Sequence, residues 1–223
     1  YTLSLHDALP ISIHAAGMKL SVIVDNVELA KAIAGAPLNV LIEIDSDGHR
    51  AGLKPDDPQL VTVAQALAAG GASVAGVMTH AGASYNCGSI GAIRAMAAQE
   101  RDAAVHAAQR LRAAGFPAPV VSVGSTPTAA FAQDLAGVTE VRAGVFVFFD
   151  LVMAGIGVCG TEDIALSVLA TVIGHQKDKG WALTDAGWMA LSRDRGTAKQ
   201  PVDQGYGLVC DAAGKPIEGL IDE

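Results

Sequence analysis

Five short apolar runs, separated by stretches with helical spacing, constrain this chain more than any other feature. LSVIVDN (20–26), NVLIEID (39–45), ASVAGVMTHA (72–81), APVVSVGST (118–126) and EVRAGVFVFFD (140–150) carry the strand signal. Between them, VELAKAIAG and the segments 58–69 and 90–114 have the apolar spacing of helices, the first ending in glycine and the other two followed by it. A strand with one face in water alternates polar and apolar residues; nearly unbroken runs suit parallel strands built from βα units. The pattern predicts an α/β fold. Five units fall short of the eight that close a barrel, so the expectation is a partial (β/α)8 barrel.

After residue 155 the pattern changes. ALSVLATVIGHQ, WALTDAG and YGLVCD are strand-like, QKDKGW and DAAGKP are turn signals, and no amphipathic helix intervenes. This predicts part of an all-β C-terminal domain. The expected division is a partial barrel over 18–158 and the start of a β domain over 159–223. Residues 1–17 show neither period nor the pattern of a signal peptide. Their opening YTLSLHDALPIS resembles translated adapter sequence, so they are set aside as non-native, His6 and Asp7 included. Both ends read as cut, and the expectation is a fragment of a longer protein.

Composition excludes several function classes. The net charge of −8 argues against a nucleic-acid partner, because phosphate binding needs a basic surface. No apolar run approaches the ~20 residues of a membrane span. Cys87, Cys159 and Cys210 form no CxxC pair, which suits a reducing compartment and a cytoplasmic protein.

In parallel βα architectures ligands bind beyond the carboxyl ends of the strands. The second run ends in Asp47, Gly48, His49 and Arg50; the third in Thr79 and His80, then Ser84 and Tyr85. The fourth ends in Gly124, Ser125, Thr126, Pro127 and Thr128, and the fifth carries Arg142, Gly144 and Val145. GSTPT suits an anion: glycine allows close approach, hydroxyls donate, and a helix start offers free N–H groups. It equally suits Ser125 and Thr126 as simple helix caps. Arg50 must meet an acceptor, either Asp45, Asp47 or a ligand. His80 alone is as consistent with a structural histidine, Tyr85 with a packed loop aromatic, and Arg142 with a surface position on an edge strand. His106 and His175 read as solvated. Glu43 and Asp45 share one face of their strand.

IEIDSDGHRAG, MTHAGASY, VSVGSTPT and EVRAGVFVFFD, followed by DAGWMALSRDRG and YGLVCD, resemble the D-serine dehydratase/D-threonine aldolase-like family. These are fold type III pyridoxal-phosphate enzymes related to alanine racemase, and the likeness runs over about residues 19–223. Several motifs in fixed order are more specific than any one of them. The resemblance implies that Arg50 lies beside the phenolic oxygen of pyridoxal 5'-phosphate, His80 against its pyridine ring, and Tyr85 in the same pocket. These three form the implied catalytic set. Ser125, Thr126 and the backbone at Gly144 and Val145 would hold the phosphate, and Arg142 would stand at the ring nitrogen.

The implied activity is a lyase acting on small D-amino acids with a β-hydroxyl, by dehydration of the D-serine type or aldol cleavage of the D-threonine type. The resemblance also implies a divalent metal, expected to be zinc, with its His and Cys ligands beyond residue 223; no metal ligand is assigned here, Cys210 included. The Schiff-base lysine is expected upstream, since Lys19 precedes a strand and Lys31 sits within a helix. The expectation is a homodimeric full-length enzyme and a fragment that does not turn over alone. The alternatives are a metal-independent racemase of the same fold type and a non-catalytic pyridoxal-phosphate-binding protein; the β-rich tail argues against the latter.

Overall fold

The computed structural model describes residues 16–18 and 20–220, so the expectations placed on 1–15, on Lys19 and on 221–223 fall outside the described residues. The chain divides into two compact units, one ending at Gly144 and the other beginning at Val145. This division precedes the boundary expected at 158/159.

The first unit alternates strand and helix. It contains β1 (Ser21–Val24), α1 (Val27–Ala32), β2 (Asn39–Ile44), α2 (Gln59–Ala69), β3 (Ser73–Thr79), α3 (Ile90–Ala113), β4 (Val120–Val123), α4 (Thr126–Phe131) and β5 (Glu140–Val141). The sheet order is β1-β2-β3-β4-β5, and every pairing is parallel. Sequence order equals spatial order, which is the winding of a barrel wall and matches the expected partial barrel.

The core lies between this sheet and its helices. Val40, Ile42 and Ile44 of β2, Val74 and Val77 of β3, and Val121 and Val123 of β4 are buried with Leu60, Val63 and Leu67 of α2. α3 adds Ala104, Ala107, Ala108 and Leu111, small residues that let a long helix lie close to the strands. The opposite face is different. Glu43, Met78, Ser122 and Glu140 are register partners in one row across β2 to β5. Side chains alternate faces along a strand, so this row stands opposite the helices and brings polar groups near the strand ends.

Local chemistry sets the element ends. Asn26 caps α1 by accepting from Leu29 N at 2.8 Å, and Ser89 caps α3 by accepting from Ala92 N at 3.2 Å. Between Val40 and Leu41 the β2–β3 register shifts by one, because Val74 pairs with Val40 but Gly76 pairs with Leu41. β3 therefore carries a bulge.

β5 is shorter than the sequence suggests. Residues 140–150 read as one strand, but only Glu140–Val141 pair, and Arg142 N donates the last bond, to Val123 O. From Val145 the chain turns on itself: Phe148 N and Phe149 N both donate to Val145 O. These local bonds override the strand propensity of a Val/Phe run.

In the second unit, Asp150 caps the short helix α5 (Leu151–Gly155) by accepting from Met153 N at 2.9 Å. The expected β character appears as one antiparallel hairpin, β6 (Val172–Gln176) with β7 (Trp181–Thr184). YGLVCD forms only an isolated bridge, Cys210 to Pro216. Among the described residues no helix is long and apolar enough to cross a membrane.

Candidate active site

The polar burst after β2 is a return loop. Asp45 N donates to Leu53 O and Leu53 N to Glu43 O, both at 2.9 Å, so residues 46–52 fold back on their own strand. Gly52 makes this return possible. Its φ is +118°, and a Cβ there would lie 2.7 Å from Asp45 N.

Both carboxylates that might have taken Arg50 are occupied. Asp45 accepts from Gly48 N at 2.6 Å and from Lys54 Nζ at 2.7 Å. Asp47 accepts from His49 N at 3.1 Å and from Ala83 N at 2.8 Å, which ties this loop to the one after β3. The Arg50 guanidinium has no hydrogen bond or ion pair among the described residues. It is exposed, and its Nε lies 2.9 Å from where a Cβ on Gly82 would stand. The His49 ring overlaps the same position, so the two side chains lie over Gly82.

Burial alone would push the Asp45 carboxyl up, but the bonds from Lys54 and Gly48, with the Lys54 charge, hold it below the ordinary carboxylate range. A depressed folded-state value contributes stability that is complete above the unfolded value and is lost as pH falls through the folded one. Urea midpoints followed into the acid range should therefore drop more steeply for the native chain than for Lys54→Met. Parallel profiles would show that the pair contributes nothing.

β3 delivers His80, half-buried. Its Nδ1 lies 3.1 Å from Gly124 O. A carbonyl only accepts, so the proton is assigned to Nδ1 and Nε2 carries the lone pair. Burial lowers the imidazole pKa, Arg50 and Arg142 lower it further, and the Gly124 bond and Glu100 oppose them. Tyr85, in the 3₁₀ turn Gly82–Asn86, stacks on the ring with centroids 5.9 Å apart and planes 28° from parallel.

GSTPT takes the capping form. Ser125 Oγ accepts from Thr128 N at 3.3 Å, and Thr128 Oγ1 accepts from Ser125 N at 3.0 Å. Ser125 Oγ also lies 2.8 Å from Ser84 Oγ, joining the loops after β3 and β4. Ser125 and Thr126 are buried.

Arg142 is not a loose surface residue. Its Nε donates to Ser122 Oγ at 2.8 Å, another guanidinium N–H donates to Thr79 O, and Glu140 Oε1 stands 3.9 Å from Nε. Burial lowers its pKa, opposed by Glu100, Glu140 and Glu43, and a guanidinium keeps its charge regardless. Gly144 is exposed, with open space where a Cβ would be. Val145 belongs to the second unit, where it is partly buried and opens the turn Val145–Val147.

Arg50, His80, Tyr85, Ser125 and Arg142 therefore converge at the carboxyl ends of β2 to β5 within one unit, linked by Gly82, Gly124 O, Ser84 and Thr79 O. His106, expected to be solvated, is half-exposed and pairs with Asp56 at 2.7 Å. Among the described residues no group of three or more His, Cys, Asp or Glu is arranged to hold a metal ion.

Glu100 was not anticipated. It is buried in α3, and its Oε1 accepts from Ala81 N at 2.8 Å and Gly124 N at 3.1 Å. Gln99 beside it donates to Ser46 O at 2.7 Å. The available signal was its place on the apolar stripe of α3, in helical step with Ile93, Ala97, Ala104 and Leu111.

The family model for the alanine racemase N-terminal domain matches residues 5–152. The chain belongs to this family. A model described as "Putative serine dehydratase domain" matches residues 165–223. Among curated proteins, the D-threo-3-hydroxyaspartate dehydratase of Delftia sp. is 59% identical over 212 residues, covering 92% of this chain and 56% of the relative. The D-serine dehydratase of Dictyostelium discoideum is 29% identical over 202 residues, covering 82% and 51%. A solved structure of D-threo-3-hydroxyaspartate dehydratase from Delftia sp. HT23 superposes with a TM-score of 0.93 at 55% identity, covering 99% of this chain and 60% of that one. The chain thus spans about half the length of the curated relatives it matches. The alanine racemase N-terminal domain accounts for the sequential parallel sheet.

Proposed function

We propose that the protein to which this chain belongs is a pyridoxal-phosphate-dependent lyase acting on D-amino acids that bear a β-hydroxyl. The observation that carries this reading is the uncommitted Arg50 guanidinium beside the His80–Tyr85 stack, at the edge where a parallel βα sheet binds ligands. Similarity to two dehydratases favours dehydration over aldol cleavage. The match of residues 165–223 to a serine dehydratase domain weighs against a metal-independent racemase and against a non-catalytic carrier.

The side chains fit a flat, phosphorylated ring with an anionic oxygen. Arg50 supplies a fixed cation for the phenolic oxygen, and His80, backed by Tyr85, supplies a ring to lie against the pyridine. For the phosphate the reading takes Ser125 and Thr126 of the first unit, with the Ser125 hydroxyl already shared between Ser84 and Thr128. Arg142 would give the ring nitrogen a hydrogen bond but no proton, because a guanidinium stays charged. When bound, pyridoxal phosphate supplies an electron sink for negative charge developing at the substrate Cα. The neutral His80, with its free Nε2 lone pair, adds no cation next to that ring. The described residues offer no cluster for the implied zinc. A cytoplasmic location and a full-length homodimer complete the proposal.

Calorimetric titration of the chain with pyridoxal 5'-phosphate should give saturable single-site binding, displaced by inorganic phosphate. Borohydride should trap no adduct at one defined lysine, since Lys54, which reaches the β2 loop, is engaged by Asp45. Absence of saturable binding would sink the cofactor reading.

A further inference from the structure

We propose that Glu100 is a positioning residue that holds the His80 imidazole in its Nδ1–H form and fixes its orientation at the strand ends. Its carboxylate is 1% exposed, in the middle of a helix stripe made otherwise of Ile, Ala and Leu. Burying a carboxylate costs several kcal/mol unless its oxygens are satisfied, and no arginine, lysine or histidine pairs with it among the described residues. Instead one oxygen takes two backbone N–H groups, from Ala81 at 2.8 Å and Gly124 at 3.1 Å. Charge-assisted bonds of this kind are stronger than neutral ones.

Those two residues are the ones that control His80. Ala81 follows it in the chain, so its N–H belongs to the His80 peptide unit. Gly124 provides the carbonyl that meets Nδ1 at 3.1 Å. Glu100, Ala81, His80 and Gly124 thus close a ring of contacts spanning α3, the end of β3 and the end of β4. Removing the acceptor frees the Val123–Gly124 peptide. That peptide is joined through the Gly124 Cα to the Gly124–Ser125 peptide, whose carbonyl selects the Nδ1 proton. The carbonyl then keeps only the anchor from Ser125 N to Thr128 Oγ1. The same turn of α3 reaches the β2 loop through Gln99 and Ser46 O, so one helix sets three of the strand ends.

The inference rests on the reading of His80 as a site residue, but its test uses no cofactor, so the two fail separately. Ring nitrogens of ¹⁵N-histidine-labelled chain are followed by NMR through a pH titration, with His80→Gln assigning the signal. In the native chain His80 should show a predominant Nδ1–H form. In Glu100→Gln the amide oxygen can still accept both N–H groups, so this form should persist. Its titration midpoint should move down, because the lost carboxylate charge opposed burial, Arg50 and Arg142. In Glu100→Leu the preference for Nδ1–H should be lost. An unchanged tautomer in Glu100→Leu, or an unchanged midpoint in Glu100→Gln, would reduce Glu100 to a packing role. Should Glu100→Leu fail to fold, Glu100→Met, which has no carboxylate oxygen to take the Ala81 and Gly124 N–H groups, gives the tautomer readout instead. Pyridoxal phosphate that fails to bind a chain with the expected tautomer would sink the cofactor reading only.

Discussion

Gly124→Ala is expected to destabilise the first unit by about 3–5 kcal/mol, among the larger effects of any single substitution. The residue sits at φ +129°, where a side chain is strained, at a cost of about 1–3 kcal/mol. Space makes matters worse: a Cβ would lie 2.8 Å from Arg142 N and 3.0 Å from Arg142 C, with the Arg142 carbonyl oxygen nearer still. These are backbone atoms of the β5 segment, held by Arg142 N donating to Val123 O, so they cannot swing aside as a flexible side chain would. Relief requires β4 and β5 to part, which also moves the acceptor of His80 and the N–H bound to Glu100. Urea denaturation gives the stability change, and Gly144→Ala, which meets open space, serves as the near-neutral comparison. A loss below about 1 kcal/mol for Gly124→Ala would mean that the β4–β5 edge is far more pliable than this geometry allows.

How much of this was legible in the sequence depends on whether the signal was local. The β2 to β4 runs are rich in Val and Ile because one face packs against α2 and α3, and a run of that kind can be read directly. β5 was overcalled because Val145 to Phe149 have strand propensity, whereas the observed turn depends on bonds back to Val145 O. The purpose of the burst after β2 was visible only in part. Arg50 called for an acceptor, with Asp45, Asp47 and a ligand all open, and nothing in the string shows that Lys54 takes Asp45, or that Asp47 reaches across to Ala83. For Ser125 both readings were open, and the reciprocal bonds with Thr128 form the cap. Glu100 was hidden for a physical reason: a glutamate on a long charged helix normally faces water, and only its angular position shows that it points inward. Even then its partners lie 19 and 24 residues away, beyond any local pattern.

Arg50→Leu separates binding from folding more sharply than any other change at this site. The guanidinium makes no hydrogen bond or ion pair among the described residues and is exposed, so urea midpoints should move little, within the roughly 0.5 kcal/mol typical of surface substitutions. Affinity for pyridoxal 5'-phosphate should fall on the order of 10- to 100-fold, the equivalent of about 1.5–3 kcal/mol for a lost charged hydrogen bond. Arg50→Lys should recover part of this, keeping the charge but not the planar fork. A second readout is available without ligand. Arg50 lowers the His80 pKa, so removing it should move the imidazole midpoint up, opposite to the shift expected for Glu100→Gln. Asp47→Ala provides the contrast, because it cuts the bond to Ala83 N that joins two loops and should cost stability before it costs affinity. An Arg50→Leu chain that binds pyridoxal phosphate within about threefold of the native affinity, a difference of well under 1 kcal/mol, would place the phenolic oxygen elsewhere and remove the central support of the proposed function.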